Sequence, residues 1–191
     1  VIDDGSADQT ASIARKYAER YPESVRLHSK ANGGHGSGIN IAVELARGRY
    51  FKVLDADDWI LSENLPELLD RLETADADVV LTHFHTIDMM TGRRQVFRTS
   101  GIPLNKTIPL SDLVEAGRDA LQCATFHGII YRTAFYRQTG VRLSEGIFFE
   151  DHEYATLPFK DVRDVLPLDL FFYQYLIGNA AQSVARSEEH T

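Results

Sequence analysis

From Val1 to Phe84 the chain alternates short apolar runs with amphipathic stretches, and this alternation constrains its fold more than any other feature. Val1-Ile2 runs into the turn Asp3-Asp4-Gly5-Ser6. Ser6 with Gln9 matches a capping box and predicts a helix through about Arg20. Ile13, Ala14, Tyr17 and Ala18 give that helix one apolar face. Val25–His28 alternates with period two, as a short strand does. The glycine-rich turn Asn32–Gly38 precedes a helix expected at Ile39–Ala46. Tyr50–Leu54 reads as an apolar strand, Leu61–Thr74 as an amphipathic helix and Val79–Phe84 as another strand. Strands and helices alternating at this spacing imply βα units. The expected class is therefore α/β, a mixed and mainly parallel sheet flanked by helices.

Beyond Met89 the pattern loosens. Thr91-Gly92-Arg93 predicts a hairpin turn and Gln95–Arg98 a polar edge strand. Helices are expected at Ser111–Ala120, Thr133–Gln138 and Asp151–Phe159. Strands are expected at Phe126–Tyr131, Val162–Val165 and Leu170–Tyr175.

The 191 residues allow one domain, expected over 1–185, with Arg186–Thr191 as a non-native tail. A formal charge of −8 and the lack of a Lys/Arg cluster argue against a nucleic-acid partner. Cys123 is the only cysteine and fits a reducing compartment. No apolar run reaches membrane-span length. The expected location is cytoplasmic, either free or peripheral on the inner face of the membrane through segments outside this chain.

Three acidic segments and the glycine loop promise chemistry. Asp3/Asp4, the glycine loop and Asp55/Asp57/Asp58 all follow predicted strands, and open parallel sheets bind ligands beyond the carboxyl ends of their strands. On an extended backbone Asp55 and Asp57 point the same way and would face one cavity. Hard oxygen ligands at that spacing suit Mg²⁺ or Mn²⁺, with phosphate completing the shell. A solvated acidic turn capping the Leu61 helix explains the same residues, although Trp59 favours packing over plain exposure. The glycines let backbone approach a ligand next to a helix start, or simply make a flexible turn. The loop is neither a P-loop nor a dinucleotide fingerprint. His35 could touch a phosphate, although a solvated side chain is the simpler account. In Phe148-Phe149-Glu150-Asp151-His152-Glu153, two aromatics precede a carboxylate pair; nearby rings would raise a carboxyl's pKa and suit a general base. Helix capping by Asp151 is the simpler account.

Taken in order, Val1–Thr10, Asn32–Ala42, Asp55–Asp58 and Glu150-Asp151 resemble the family 2 glycosyltransferases of the GT-A fold, from residue 1 to about 185. The resemblance implies that Asp4 reads the donor base, with Asp3 as helper, and that Asn32, Gly33 and Gly34 contact the donor. It implies that Asp55 holds the ribose, and that Asp57, together with Asp55, holds Mn²⁺ or Mg²⁺; Asp58 is the weaker match. Asp151 becomes the general base, and Gln182-Ser183 resembles a late segment near the diphosphate. The implied reaction is inverting transfer from a nucleoside-diphosphate sugar, UDP-linked by expectation, to a hydroxyl of a glycan, lipid-linked or other acceptor, in bacterial polysaccharide or glycoconjugate synthesis. No Gln-x-x-Arg-Trp signature of long-polymer synthases is present. The family's opening strand is absent, so the chain is expected to be a fragment that is inactive or poorly folded alone. Two rivals stand beside this resemblance. One is an aspartyl-nucleophile, Mg²⁺-dependent phosphohydrolase with Asp55 as nucleophile, which would want Gly-Thr where the chain has Asp58-Trp59. The other is a nucleotide-sugar-binding module without turnover.

Overall fold

The computed structural model describes residues 1–178. In chain order the strands are β1 (Ile2–Asp3), β2 (His28–Ser29), β3 (Tyr50–Phe51), β4 (Trp59–Ile60), β5 (Val79–Asp88), β6 (Arg94–Phe97), β7 (Ile108–Pro109), β8 (Ile129–Arg132) and β9 (Asp164–Ile177). The helices are α1 (Thr10–Arg20), α2 (His35–Leu45), α3 (Leu65–Thr74), α4 (Leu110–Glu115), α5 (Arg118–Leu121), α6 (Thr133–Thr139) and α7 (Glu150–Thr156).

The spine is the parallel pair β5–β9, which runs from Val79↔Val165 to Asp88↔Ile177 with register shifts between Leu81 and Phe84. Val79, Val80, Leu81 and Phe84 are all buried, as expected of a central strand covered on both faces. Strand alternation divides them between two cores. Val79 and Leu81 join Ile129, Tyr131, Leu113 and Tyr154 on one side. Val80 joins Ile130, Leu166, Leu168 and the α3 residue Leu68 on the other. Around the spine, β8 and β6 pair antiparallel with β5, β3 with β8, and β4 and β7 with β9. β1 and β2 form a separate parallel pair. The result is the expected α/β architecture, a mixed sheet flanked by helices whose parallel pair is β5–β9, with β1–β2 as a second, separate parallel pair.

Local signals were overruled in several places. The capping box does not form: α1 starts at Thr10, whose N–H donates to Asp8 Oδ1, while the Ser6 N–H donates to Asp3 Oδ1. α2 begins at His35 rather than Ile39 and takes Gly36 and Gly38 into its first turns. The Ser111–Ala120 helix is broken by Gly117 at φ 82° into α4 and α5. The two strands expected around Pro167 are one, β9. Its pairing with β5 is irregular between Leu81 and Phe84, and Asn105 patches the gap by donating its N–H to Pro167 O and accepting from Asp169 N–H. The Leu61 helix opens with a 3₁₀ turn at Ser62–Asn64, and the Asp151 helix ends in one at Leu157–Lys160, where Pro158 interrupts the α pattern. Tyr50–Leu54 pairs only through Tyr50 and Phe51, and Val25–His28 shifts to His28–Ser29. Gln182-Ser183 and the tail at 186–191 lie outside the described residues.

Candidate active site

The acidic segment is a turn, closed by Asp58 N–H donating to Asp55 O at 3.2 Å. Strand alternation therefore does not aim Asp55 and Asp57; the turn does, and both line a cavity of about 540 Å³. Asp58 faces inward. Its Oδ2 accepts from the Tyr173 hydroxyl at 2.6 Å and its Oδ1 from Leu176 N–H at 2.8 Å, fastening the turn to β9. Burial pushes its carboxyl up to about 6, against the pull of these two hydrogen bonds. The Tyr173 oxygen also accepts from Asp55 N–H at 3.2 Å. Behind the turn, Lys52 Nζ donates to the carbonyls of His127 and Ile129 and lies 4.8 Å over the Tyr173 ring. Burial pulls this ammonium down to about 7, and the charges of Asp55 and Asp58 only partly restore it. Trp59 pairs its backbone with Gln174 but leaves its side chain 42% exposed, so the packing expected of it is partial.

The glycine loop is held from beneath. Asp4 is paired with Lys30, and its carboxylate accepts from Gly33 N–H at 3.0 Å and Gly34 N–H at 2.8 Å. Burial acts to raise its pKa, but Lys30 and the two N–H groups outweigh that and hold it below the usual carboxylate range. Asp3 is buried, and hydrogen bonds from Ser6 lower its pKa likewise. The glycines serve backbone-to-backbone packing. A Cβ on Gly34 would meet Gly146 N at 3.0 Å, and one on Gly36 would meet Ser144 O at 2.2 Å. Gly146 N–H donates to Gly33 O at 2.9 Å, and Asn40 of α2 both donates to Leu143 O and accepts from Leu143 N–H. The loop is thereby clasped to the segment that leads into α7.

His35 is not simply solvated. Its Nδ1 lies 2.6 Å from Glu150 Oε1 and its Nε2 lies 3.0 Å from Asp55 Oδ1. Burial acts to lower its pKa, but the two carboxylates prevail and raise it to about 9. Asp151, beside Glu150 at the start of α7, lines the cavity. The wall is aromatic: Phe126, His127, Phe148, Phe149 and Tyr175. His127 stacks on Tyr175 with centroids 3.9 Å apart, and burial with the nearby Lys52 charge pulls its pKa down to about 4, so it is neutral at neutral pH.

Of the residues expected from sequence, Asn32, Gly34, Asp55, Asp57 and Asp151 share the cavity lining. Asp3, Asp4 and Gly33 stand outside it. A second cavity of about 390 Å³, lined by Arg132, Phe135, Gln138, Thr139, Asp161 and Arg163, contains no expected residue. Sequence reasoning named His35 and Glu150 but not the bridge between them, and it gave no role to Lys52, His127, Tyr173 and Tyr175. Of these four, Lys52 left a signal, a lone charge inside the apolar run Phe51-Lys52-Val53, where a charge needs partners. Among the described residues, no group of three or more His, Cys, Asp or Glu side chains is gathered tightly enough to hold an ion by itself. Asp55 and Asp57 nonetheless fit a divalent cation that takes one or two carboxylates and completes its shell with substrate phosphate and water.

A family model described as Glycosyl transferase family 2 matches residues 1–140. The chain is 25% identical over 179 residues to the uncharacterized glycosyltransferase EpsJ of Bacillus subtilis, covering 92% of this chain and 51% of that protein. It is 24% identical to a cholesterol galactosyltransferase of Borreliella burgdorferi over 97% of this chain and 54% of the relative. Among solved structures, S. aureus TarS 1-349 in complex with UDP-GlcNAc aligns with a TM-score of 0.66 at 22% identity, covering 94% of this chain and 49% of that one. The mannosyltransferase PcManGT of Pyrobaculum calidifontis, in complex with GDP-Man and Mn²⁺, aligns with a TM-score of 0.61 at 17% identity, covering 99% and 50%. The chain thus spans about half the length of these relatives.

Proposed function

The chain belongs to glycosyl transferase family 2, and from that premise we propose that residues 1–185 are its catalytic domain and that the Asp55–Asp57–Asp151 cavity transfers a sugar from a nucleoside diphosphate to an acceptor hydroxyl, with inversion. The observation that carries this is the meeting of Asp55 and Asp57 with Asp151, distant in sequence, around one cavity. Asp55 takes the ribose, and Asp57 with Asp55 holds Mn²⁺ or Mg²⁺. The ion, when bound, would offset the negative charge of the departing diphosphate. Asn32 and Gly34 contact the donor. Asp4 supports it by holding the Gly33 and Gly34 N–H groups, and Asp3 holds the turn beneath. Asp151 removes the proton of the acceptor hydroxyl, a service worth roughly 10²–10⁴ in rate. We take the donor as UDP-linked, the chemistry of the TarS complex, with GDP as the alternative that the PcManGT complex suggests. Ile147, Phe148 and Phe149, about half exposed beside Asp151, suit an acceptor with an apolar portion such as a lipid-linked glycan. No helix among the described residues is long and apolar enough to cross a membrane; peripheral association on the cytoplasmic face remains part of the proposal.

The test is a thermal-shift series on the full-length protein with UDP- and GDP-sugars, with and without Mn²⁺. Ligands that bind the folded state raise its melting temperature by an amount that grows with the logarithm of their concentration relative to the dissociation constant. A metal-dependent rise with one nucleotide sugar supports the proposal. No response to any of them counts against it, as would hydrolysis of a simple phosphate ester in their place. Donor binding without transfer to any acceptor would leave a binding module.

A further inference from the structure

Glu150 and Asp55 reach the same imidazole from segments far apart in the chain. Glu150 is 6% exposed, and a buried carboxylate needs a polar partner; His35 Nδ1, at 2.6 Å, is that partner. The other ring nitrogen, Nε2, is 3.0 Å from Asp55 Oδ1. The ring also rests against Phe126, centroids 5.7 Å apart. The backbone around the bridge is closely packed: Gly36 leaves no room for a Cβ against Ser144 O, and Gly146 N–H donates to Gly33 O. A side chain using both nitrogens, at the start of a helix whose preceding loop is clasped to the opposite wall, has a defined orientation.

We propose that His35 is a positioning residue: anchored through Nδ1 by Glu150, it holds the Asp55 carboxylate through Nε2 in the orientation that meets the donor. The bridge ties the donor-binding turn to the helix that carries Asp151. It makes Glu150 matter to donor binding although Glu150 acts only through His35. This rests on the glycosyltransferase assignment above.

The experiment uses the full-length protein. Calorimetric titration with UDP and with GDP, each with Mn²⁺, gives nucleotide affinity, and steady-state kinetics with the matching nucleotide sugar gives kcat and donor KM. Removing one hydrogen bond to a charged group predicts a loss of about tenfold or more. His35→Ala is therefore expected to weaken nucleotide binding and raise donor KM about tenfold, with kcat changed far less. Glu150→Ala is expected to do the same. The double variant is expected to be no worse than the weaker single, because both break one bridge. Glu150→Gln, whose amide oxygen still accepts from Nδ1–H, is expected to recover most of the affinity lost in Glu150→Ala. Were His35→Ala not to fold, His35→Gln, which reaches one carboxylate but not both, is read by the same split. Unchanged donor KM, effects that multiply, or a fall in melting temperature and kcat with KM untouched would overturn the proposal. Nucleotide binding that is lost in Asp57→Ala yet indifferent to His35 sinks only this inference. A wild-type protein that binds neither nucleotide sinks the glycosyltransferase assignment and this inference with it.

Discussion

Asp58 and Asp151 show how a carboxylate's partners decide its task. Asp58 turns into the protein and meets the Tyr173 hydroxyl and the Leu176 N–H. Its work is to hold the turn that presents Asp55 and Asp57. Tyr173→Phe removes the hydroxyl shared by Asp58 and Asp55 N–H and is expected to cost about 1–3 kcal/mol of stability, measured by urea unfolding. A loss of well under that range would mean the turn is held by other contacts. Asp151 stands instead at the cavity. Asp151→Asn is expected to lower transfer by at least about 10²-fold while donor affinity stays near wild type; turnover unchanged in single-turnover assays would remove Asp151 from the role. The residue types at 55, 57 and 151 were legible because carboxylates after strands and at a helix start are a chemical pattern. The inward turn of Asp58 and the bridging by His35 were not, since both partners of Asp58, and the Glu150 that anchors His35, lie 115 or more residues away.

Helix α2 carries the element-scale lesson. Sequence reading started it at Ile39 because Gly36 and Gly38 are poor helix residues. Packing overrode that propensity, and the two glycines are there for different reasons. At Gly36 a Cβ would lie 2.2 Å from Ser144 O, a backbone atom that cannot step aside without opening the clasp. At Gly38 the nearest atom is Ile2 Cγ2 at 3.7 Å, an ordinary contact. Gly36→Ala is expected to destabilise the protein by about 1–3 kcal/mol through overpacking, and to weaken nucleotide binding as the loop moves from the α7 segment. Gly38→Ala is expected to be neutral or to stabilise by up to about 1 kcal/mol, because alanine is the better helix former. Equal effects in chemical denaturation would show that the clasp is not tight. Elsewhere the elements expected from periodicity exist, displaced or re-cut where tertiary contacts outweigh local signals. The two strands expected at Val162–Val165 and Leu170–Tyr175 are one strand running through Pro167, with Asn105 donating to Pro167 O and accepting from Asp169 N–H. The α/β class was legible from alternation alone; the antiparallel strands around β5–β9 were not, because pairing partners are set by the whole sheet.

At the scale of the molecule, buried cations and imidazoles set the response to pH. Burial pulls His83 down to about 4, aided by the Arg98 charge and opposed by Asp169, and His127 is pulled to about 4 by burial and Lys52. An unfolded chain binds their protons near the ordinary value of 6.5, so between about pH 6.5 and 4 the unfolded state carries more protons than the folded one. Stability from these two groups is fully present above 6.5 and is lost as pH falls toward 4. Asp58 works the other way: raised to about 6, it favours the folded state when protonated and offsets part of the loss. On the alkaline side, His35, raised to about 9, loses its contribution as pH rises, while Lys52, lowered to about 7, contributes more, so that limb is flatter than the acid one. His83 isolates the acid term. It lies on β5, opposite Phe171 of β9, fully buried, and neither ring nitrogen has a hydrogen-bond partner among the described residues. It packs edge-on against Phe171 at 5.0 Å, a site that accepts another ring. His83→Phe replaces a neutral imidazole with a larger ring, and whatever that overpacking costs at pH 7.5 is the baseline against which the acid effect is read. At pH 5 the wild type must exclude a proton that the variant never binds, so the variant is expected to gain on the order of 1–2 kcal/mol relative to wild type. Urea unfolding of both proteins at the two pH values measures that difference directly. An unchanged gap between pH 7.5 and 5 would mean that His83 takes up its proton in the folded protein, with Asp169, 3.8 Å from its Nδ1, as the counter-charge.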